Sequence, residues 1–145
     1  MKPELGSPFS PEWEGIPPAM PTGDLGIWLR YRTQLLGMYD KVYFNVRIGE
    51  PVPVPQGLPP EIEKMAIETS RRRIDVVAED VFGWFLIELK FQASADALGQ
   101  ILMYRALWLS DPPDARPVEM IIVSDRENKD LKIACEFYKI KLIVV

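Results

Sequence analysis

Apolar residues in this chain fall into short runs whose spacing changes from segment to segment. From Lys41 to Ile48, apolar Val42, Phe44, Val46 and Ile48 alternate with Tyr43, Asn45 and Arg47, which predicts a half-buried strand. Arg73–Ala78 is rich in β-branched residues and Val81–Leu89 is a second strand-like run, so the two read as an antiparallel hairpin with Glu79-Asp80 as its tight turn. Leu25, Trp28, Arg32, Leu35 and Tyr39 follow helical spacing and predict a helix over about 25–38, with Asp24 as its N-cap. A further helix is expected over about 94–110, with Ser94 as cap and Asp96 in its first turn. It is apolar nearly all round, so burial on several sides is expected. Asp111-Pro112-Pro113-Asp114 stops it. Val118–Val123 reads as a buried strand, 129–139 as an amphipathic helix and Lys141–Val145 as a final strand. Glu61–Ser70 stays open between a helical turn and the lead into the next strand. The order is helix, three strands, helix, strand, helix, strand, which predicts an α/β fold.

Proline divides the chain. Residues 1–22 hold six prolines with Trp13, Ile16 and Met20 among them, which makes an extended arm rather than a core element. The arm is expected to pack on its own domain or on a neighbouring subunit. Residues 23–145 then form a single domain, in keeping with a length of 145 residues. Pro51, Pro53, Pro55, Pro59 and Pro60 predict a stiff loop that suits contact with a substrate or partner. Hydrophobic content of 48% with 26% charged residues is that of an ordinary globular domain. No apolar run is long enough to span a bilayer, and Met1-Lys2-Pro3-Glu4 lacks the apolar core of a signal peptide. The single cysteine, Cys135, fits a reducing compartment and reads as a small core residue. An intracellular, cytoplasmic location is expected.

The polar residues of the hairpin carry the chemistry. Side chains on a strand alternate between faces, so Glu88 and Lys90 share a face while Leu89 points away. A tight hairpin turn brings Asp75 near Glu88. Two close carboxylates repel and raise each other's pKa. A divalent hard cation such as Mg²⁺ relieves that penalty, because it favours oxygen ligands and keeps several waters, one of which can serve as nucleophile. Lys90 is a compact charge able to hold a phosphate or orient the water. The backbone carbonyl of Leu89 is a natural further metal ligand. Gln100 and Tyr104 lie one helical turn apart on the helix that follows. The reaction these groups suit is in-line hydrolysis of a phosphodiester.

Asp75…Glu88-Leu89-Lys90 resembles the PD-(D/E)xK nuclease motif, with Ile74 where the motif name has proline. Gln100-Ile101-Leu102-Met103-Tyr104 resembles the Q-x-x-x-Y motif of the RecB-like branch. The resemblance covers roughly residues 24–145. It implies a restriction-endonuclease-like core, αβββαβ followed by a further helix and strand, around a mixed central sheet. It also implies that Asp75 and Glu88 ligate Mg²⁺ or Mn²⁺, that Lys90 is the catalytic lysine, and that Gln100 and Tyr104 line the site and touch the nucleic-acid backbone. DNA is the expected substrate, with RNA left open. Members often carry a further acidic residue near the first helix; Asp24, Asp40, Glu50, Glu63 and Glu68 are candidates, and the sequence does not choose among them. Some members of the branch hold an iron–sulfur cluster on four cysteines, which the single Cys135 excludes here.

Charge cuts both ways. The absence of histidine excludes His-based triads, His metal sites and the His-dependent nucleases. A net charge of −4 runs against unaided nucleic-acid binding, where phosphate neutralisation supplies much of the affinity. Arg71, Arg72, Arg73 and Arg105 offer a local basic rim for nucleic acid on an acidic body. Taken singly, Glu88-Leu89-Lys90 reads equally well as an ordinary strand end with solvated charges, and the arginine run is more often solvated surface. Three functions follow: a metal-dependent nuclease; a structural subunit on a nuclease fold, for instance in a phage particle or packaging assembly, with the arm clasping a neighbour in a homo-oligomer; or a small binding module.

Overall fold

The computed structural model describes residues 1–145. Five strands form one sheet in the order β1-β2-β3-β4-β5: β1 (Lys41–Ile48), β2 (Arg72–Glu79), β3 (Trp84–Lys90), β4 (Val118–Ser124) and β5 (Ile140–Val144). The pairs β1–β2 and β2–β3 are antiparallel, while β3–β4 and β4–β5 are parallel, so the sheet is mixed. Four α-helices accompany it: α1 (Thr22–Tyr31), α2 (Pro60–Ser70), α3 (Ala95–Ser110) and α4 (Lys129–Phe137). The fold is α/β, with the expected element order and one added helix, α2, in the stretch the sequence left open. Pro60 opens that helix, where a missing N–H is harmless, and none of its residues is buried. No helix is long and apolar enough to cross a membrane.

Strict alternation along β3 and β4 feeds two cores on opposite faces of the sheet. Trp84, Leu86, Val118, Met120 and Ile122 pack with Ala97, Ile101, Tyr104 and Trp108 of α3 and with Leu131 and Cys135 of α4. Ile87, Leu89, Ile121 and Val123 pack with Ile27, Trp28, Tyr31 and Leu35. The result is a three-layer sandwich, with helices covering both faces. In β1 the alternation breaks. Val42 and Phe44 face α1, but Val46 and Ile48 face α3. The break falls at Asn45, whose backbone is left-handed at φ 54°. Across from it, Val76 faces α1 and Ile74 faces α3, so β2 changes face at Asp75. The strand the sequence reads as one half-buried face is buried on both.

Several boundaries shift for local reasons. Asp24 does not cap α1: the helix begins at Thr22 after Pro21, and Asp24 lies in its first turn. The helix ends at Tyr31 rather than near 38. A 3₁₀ turn over Arg32–Gln34 follows, where the Thr33 hydroxyl donates to the Arg30 carbonyl, and Leu35 is delivered to the core. The β2–β3 turn is wider than Glu79-Asp80. Asp80 Oδ1 accepts from the backbone N–H of Phe82 at 2.8 Å and of Gly83 at 3.0 Å, leaving Val81 and Phe82 exposed outside the strand. Ser94 precedes α3 but donates its hydroxyl to Asp96 rather than capping the helix. That helix is buried on one face only, since Met103 and Leu109 are exposed. Asn128 caps α4 by accepting from the Leu131 N–H at 3.0 Å.

The proline-rich arm lies along the outer edge of β1. The Phe9 N–H donates to the Val42 carbonyl and the Val42 N–H to the Phe9 carbonyl, and the Glu4 N–H donates to the Arg47 carbonyl. Phe9 meets Phe44 edge-on and Trp13 meets it tilted, at ring-centroid distances of 5.3 and 5.9 Å. The arm is thus spent on its own domain in this chain.

Candidate active site

Register brings the polar residues into one row. The β2–β3 pairing runs to Val76–Ile87, and one step further sets Asp75 opposite Glu88. The β1–β2 pairing skips one position, and there Asn45 stands opposite Asp75. Both strands turn a face at this row, which opens the ladder beside the carboxyl groups.

The carboxyl groups of Asp75 and Glu88 lie close enough to act on each other. Asp75 Oδ2 accepts from the Leu89 N–H at 2.9 Å. Glu88 is 5% exposed, and its Oε2 is buried without a partner. Burial is the main force raising the pKa of both groups, and for Glu88 the negative charge of Asp75 adds to it. Their contact acts in opposite directions on the two, lowering the Asp75 pKa and raising that of Glu88. Both carboxyl groups are therefore harder to ionise than in water.

Lys90 lies on the same strand face, its Nζ 3.1 Å from Asp96 Oδ2 at the start of α3. The hydrogen bond to Asp96 raises the lysine pKa first of all, with Glu88 and Asp24 adding to it. Asp96 is held well ionised by the Ser94 hydroxyl and then by Lys90. Asp96 is therefore the residue that positions the ammonium. Spacing alone assigns it only to a first helical turn.

Of the acidic candidates, Asp24 is the one the fold carries to the site. Its charge acts on Asp75, Glu88 and Lys90, and partial burial raises its own pKa against the pull of Lys90. Glu50 instead holds the N-terminal ammonium at 2.8 Å, and Glu68 faces Lys64. Asp40 lies beside Glu79, at the far end of β2. Tyr104 on α3 is buried, and its phenol is pushed up by burial and then by the charges of Glu88 and Asp75. Gln100, one turn earlier on that helix, has a buried Oε1 without a partner.

The arginines separate. Arg71 is buried, and its guanidinium donates to the carbonyls of Gly49 and Lys2 at 2.7 and 3.0 Å, with Glu4 beside it. It anchors the arm and is not free to meet a phosphate. Arg72 is exposed, and its charge reaches the Tyr104 phenol. Arg73 and Asp75 line one cavity, together with Asn45 and the arm. Arg105 lines a different groove, with Leu102, Phe137 and Lys139. Asn45 is the site residue that periodicity hid, because it occupies an ordinary polar position in an alternating strand.

No group of three acidic, histidine or cysteine side chains converges tightly enough to form a metal cage on its own. A pair of carboxyl groups does fit Mg²⁺, which is commonly held by one or two carboxylates with waters and substrate phosphate completing the shell. Glu88 Oε2, buried without a partner, is the oxygen such an ion would bind. Compared with protein-family models, curated proteins and solved structures, the chain matches none.

Proposed function

We propose that this chain is a metal-dependent nuclease with a restriction-endonuclease-like, PD-(D/E)xK arrangement, hydrolysing phosphodiester bonds, above all in DNA. The observation that carries the reading is the buried Asp75–Glu88 pair, with Glu88 Oε2 unpartnered and Lys90 on the same strand face. A fold seldom buries two carboxyl groups side by side without a use for them.

Asp75 and Glu88, with the Leu89 carbonyl, would hold Mg²⁺ or Mn²⁺. The ion supplies charge neutralisation at the phosphoryl group and activation of water when bound. The protein's own part is positional. The Leu89 N–H fixes the orientation of Asp75. Ionised together, the two carboxyl groups would present paired negative charge to a cation. Asp96 aims the Lys90 ammonium, which can bind a non-bridging phosphate oxygen or orient the attacking water. Tyr104 and Gln100 offer hydrogen-bond donors to the nucleic-acid backbone, and Arg72 adds positive charge beside them.

The test is cleavage of supercoiled plasmid and of labelled single-stranded DNA with Mg²⁺, Mn²⁺ or EDTA, for wild type beside Glu88→Ala. Cutting that needs the metal and disappears in folded Glu88→Ala is expected. Undiminished cutting by the variant, or no cutting of either substrate by folded wild type, overturns the proposal.

A further inference from the structure

A cavity of about 180 Å³ opens beside Asp75, between the end of the arm and strands β1 and β2. Pro18, Ala19 and Met20 form one wall, and Asn45, Arg73 and Asp75 the other. It is smaller than the roughly 300 Å³ at which small-molecule sites begin. That leaves room for a single flat ring, not for a base pair.

Two features mark it as built rather than incidental. Four non-glycine residues have left-handed backbone, and two of them, Ala19 at φ 58° and Asn45 at φ 54°, line this cavity. Such conformations are strained and persist where surrounding structure enforces them. Asn45 is also the position at which the β1–β2 ladder is interrupted, directly across from Asp75. The distortion therefore holds the cavity open next to the carboxyl pair.

The wall chemistry selects the occupant. Arg73 and Asp75 put opposite charges on the wall, so the cavity does not favour a bare anion such as free phosphate. The Asn45 amide offers both a donor and an acceptor, the complement of a base edge. Pro18 and Met20 give an apolar surface to a ring face, and Arg73 gives positive charge to the attached backbone. We propose that this cavity receives one unpaired nucleobase of the polynucleotide whose phosphate lies at Asp75, Glu88 and Lys90. The inference rests on the nuclease reading and narrows its substrate to single strands, flaps or frayed ends. A base stacked and paired in duplex must first be extruded to enter.

Binding is measured in EDTA, with a single-stranded oligonucleotide carrying one fluorescent purine analogue and with the same strand in duplex. Wild type is compared with Asn45→Gly and Met20→Ala, with circular dichroism confirming the fold. Glycine accepts the left-handed backbone at position 45, so that variant removes the amide alone. Saturable fluorescence change on the single strand is expected, with the duplex at least ~10-fold weaker and Asn45→Gly roughly five- to tenfold weaker on the single strand. Equal affinity for duplex and single strand, or wild-type binding by Asn45→Gly, overturns the inference. Adding Mg²⁺ separates the two proposals. Single-strand binding that depends on Asn45 without any cleavage sustains the cavity as a base site and sinks the nuclease. Cleavage that favours duplex and ignores Asn45 keeps the nuclease and sinks the base site.

Discussion

Glu88 and Asp75 both resist ionisation, because each is buried and the charge of Asp75 bears on Glu88. In the unfolded chain both are ordinary carboxylates. Over the interval above the ordinary carboxylate range, the folded state binds more protons than the unfolded state, so stability falls as pH rises. The contribution is fully present below that range and is lost as the pair ionises. Glu88→Gln copies the protonated form and escapes the loss. In EDTA, wild type should lose on the order of 2 kcal/mol relative to Glu88→Gln between pH 5 and pH 8, read from urea unfolding. Mg²⁺ should then stabilise wild type at the higher pH and leave Glu88→Gln unchanged. A difference that does not vary with pH would mean that burial does not raise the pKa of the pair. The roles at this scale were unevenly legible. Asp75, Glu88 and Lys90 stand out because charged residues on apolar strands demand a reason. Asp96 and Asn45 do not, because one reads as a helix-start acid and the other as a routine polar position. Only tertiary geometry joins them to the site.

Elements came through by kind more readily than by boundary. Runs of β-branched and apolar residues mark each strand, and the helical spacing marks α1, α3 and α4. Periodicity could not say that β1 changes face at Asn45, since the same alternating letters fit a straight strand. Nor could it tell that Met103 and Leu109 of α3 stay exposed while Ile101 and Trp108 are buried. The β2–β3 turn shows a boundary set by sterics. A Cβ built on Gly83 would sit 2.5 Å from the backbone carbonyl oxygen of Pro117, the same oxygen that accepts the Trp84 N–H at 2.9 Å. That contact begins the β3–β4 pairing and cannot give way without displacing the strand. Gly83→Ala should therefore cost about 2 kcal/mol in chemical unfolding. Gly99→Ala, in α3 with nothing within 4 Å of the added carbon, should be neutral or stabilise by about 0.5–1 kcal/mol. Equal effects at the two sites would remove the steric account of where β3 starts.

At the scale of the molecule, the sheet has two edges and treats them differently. The β5 edge carries the chain's last strand, whereas the β1 edge is covered by the arm. An uncovered edge presents backbone groups to any other strand and is a route to association. The arm removes that hazard with backbone bonds at Glu4 and Phe9 and with the Phe9–Trp13–Phe44 aromatic cluster. Arg71 ties the arm's start to the domain from beneath, with 4% of its side chain exposed. Deleting residues 1–14 would strip these contacts yet keep Pro18–Met20 in the chain to wall the cavity beside Asp75. The Phe44 ring would lose its cover, the Val42 N–H its acceptor and Arg71 its Lys2 carbonyl. The truncated protein should lose roughly 3 kcal/mol of stability in urea unfolding, from the apolar area returned to water. It should also associate with rising concentration in sedimentation, because β1 is then an open edge flanked by aromatic surface. Truncated protein that stays monomeric and as stable as the full chain would leave the arm only one role, as the wall of the cavity.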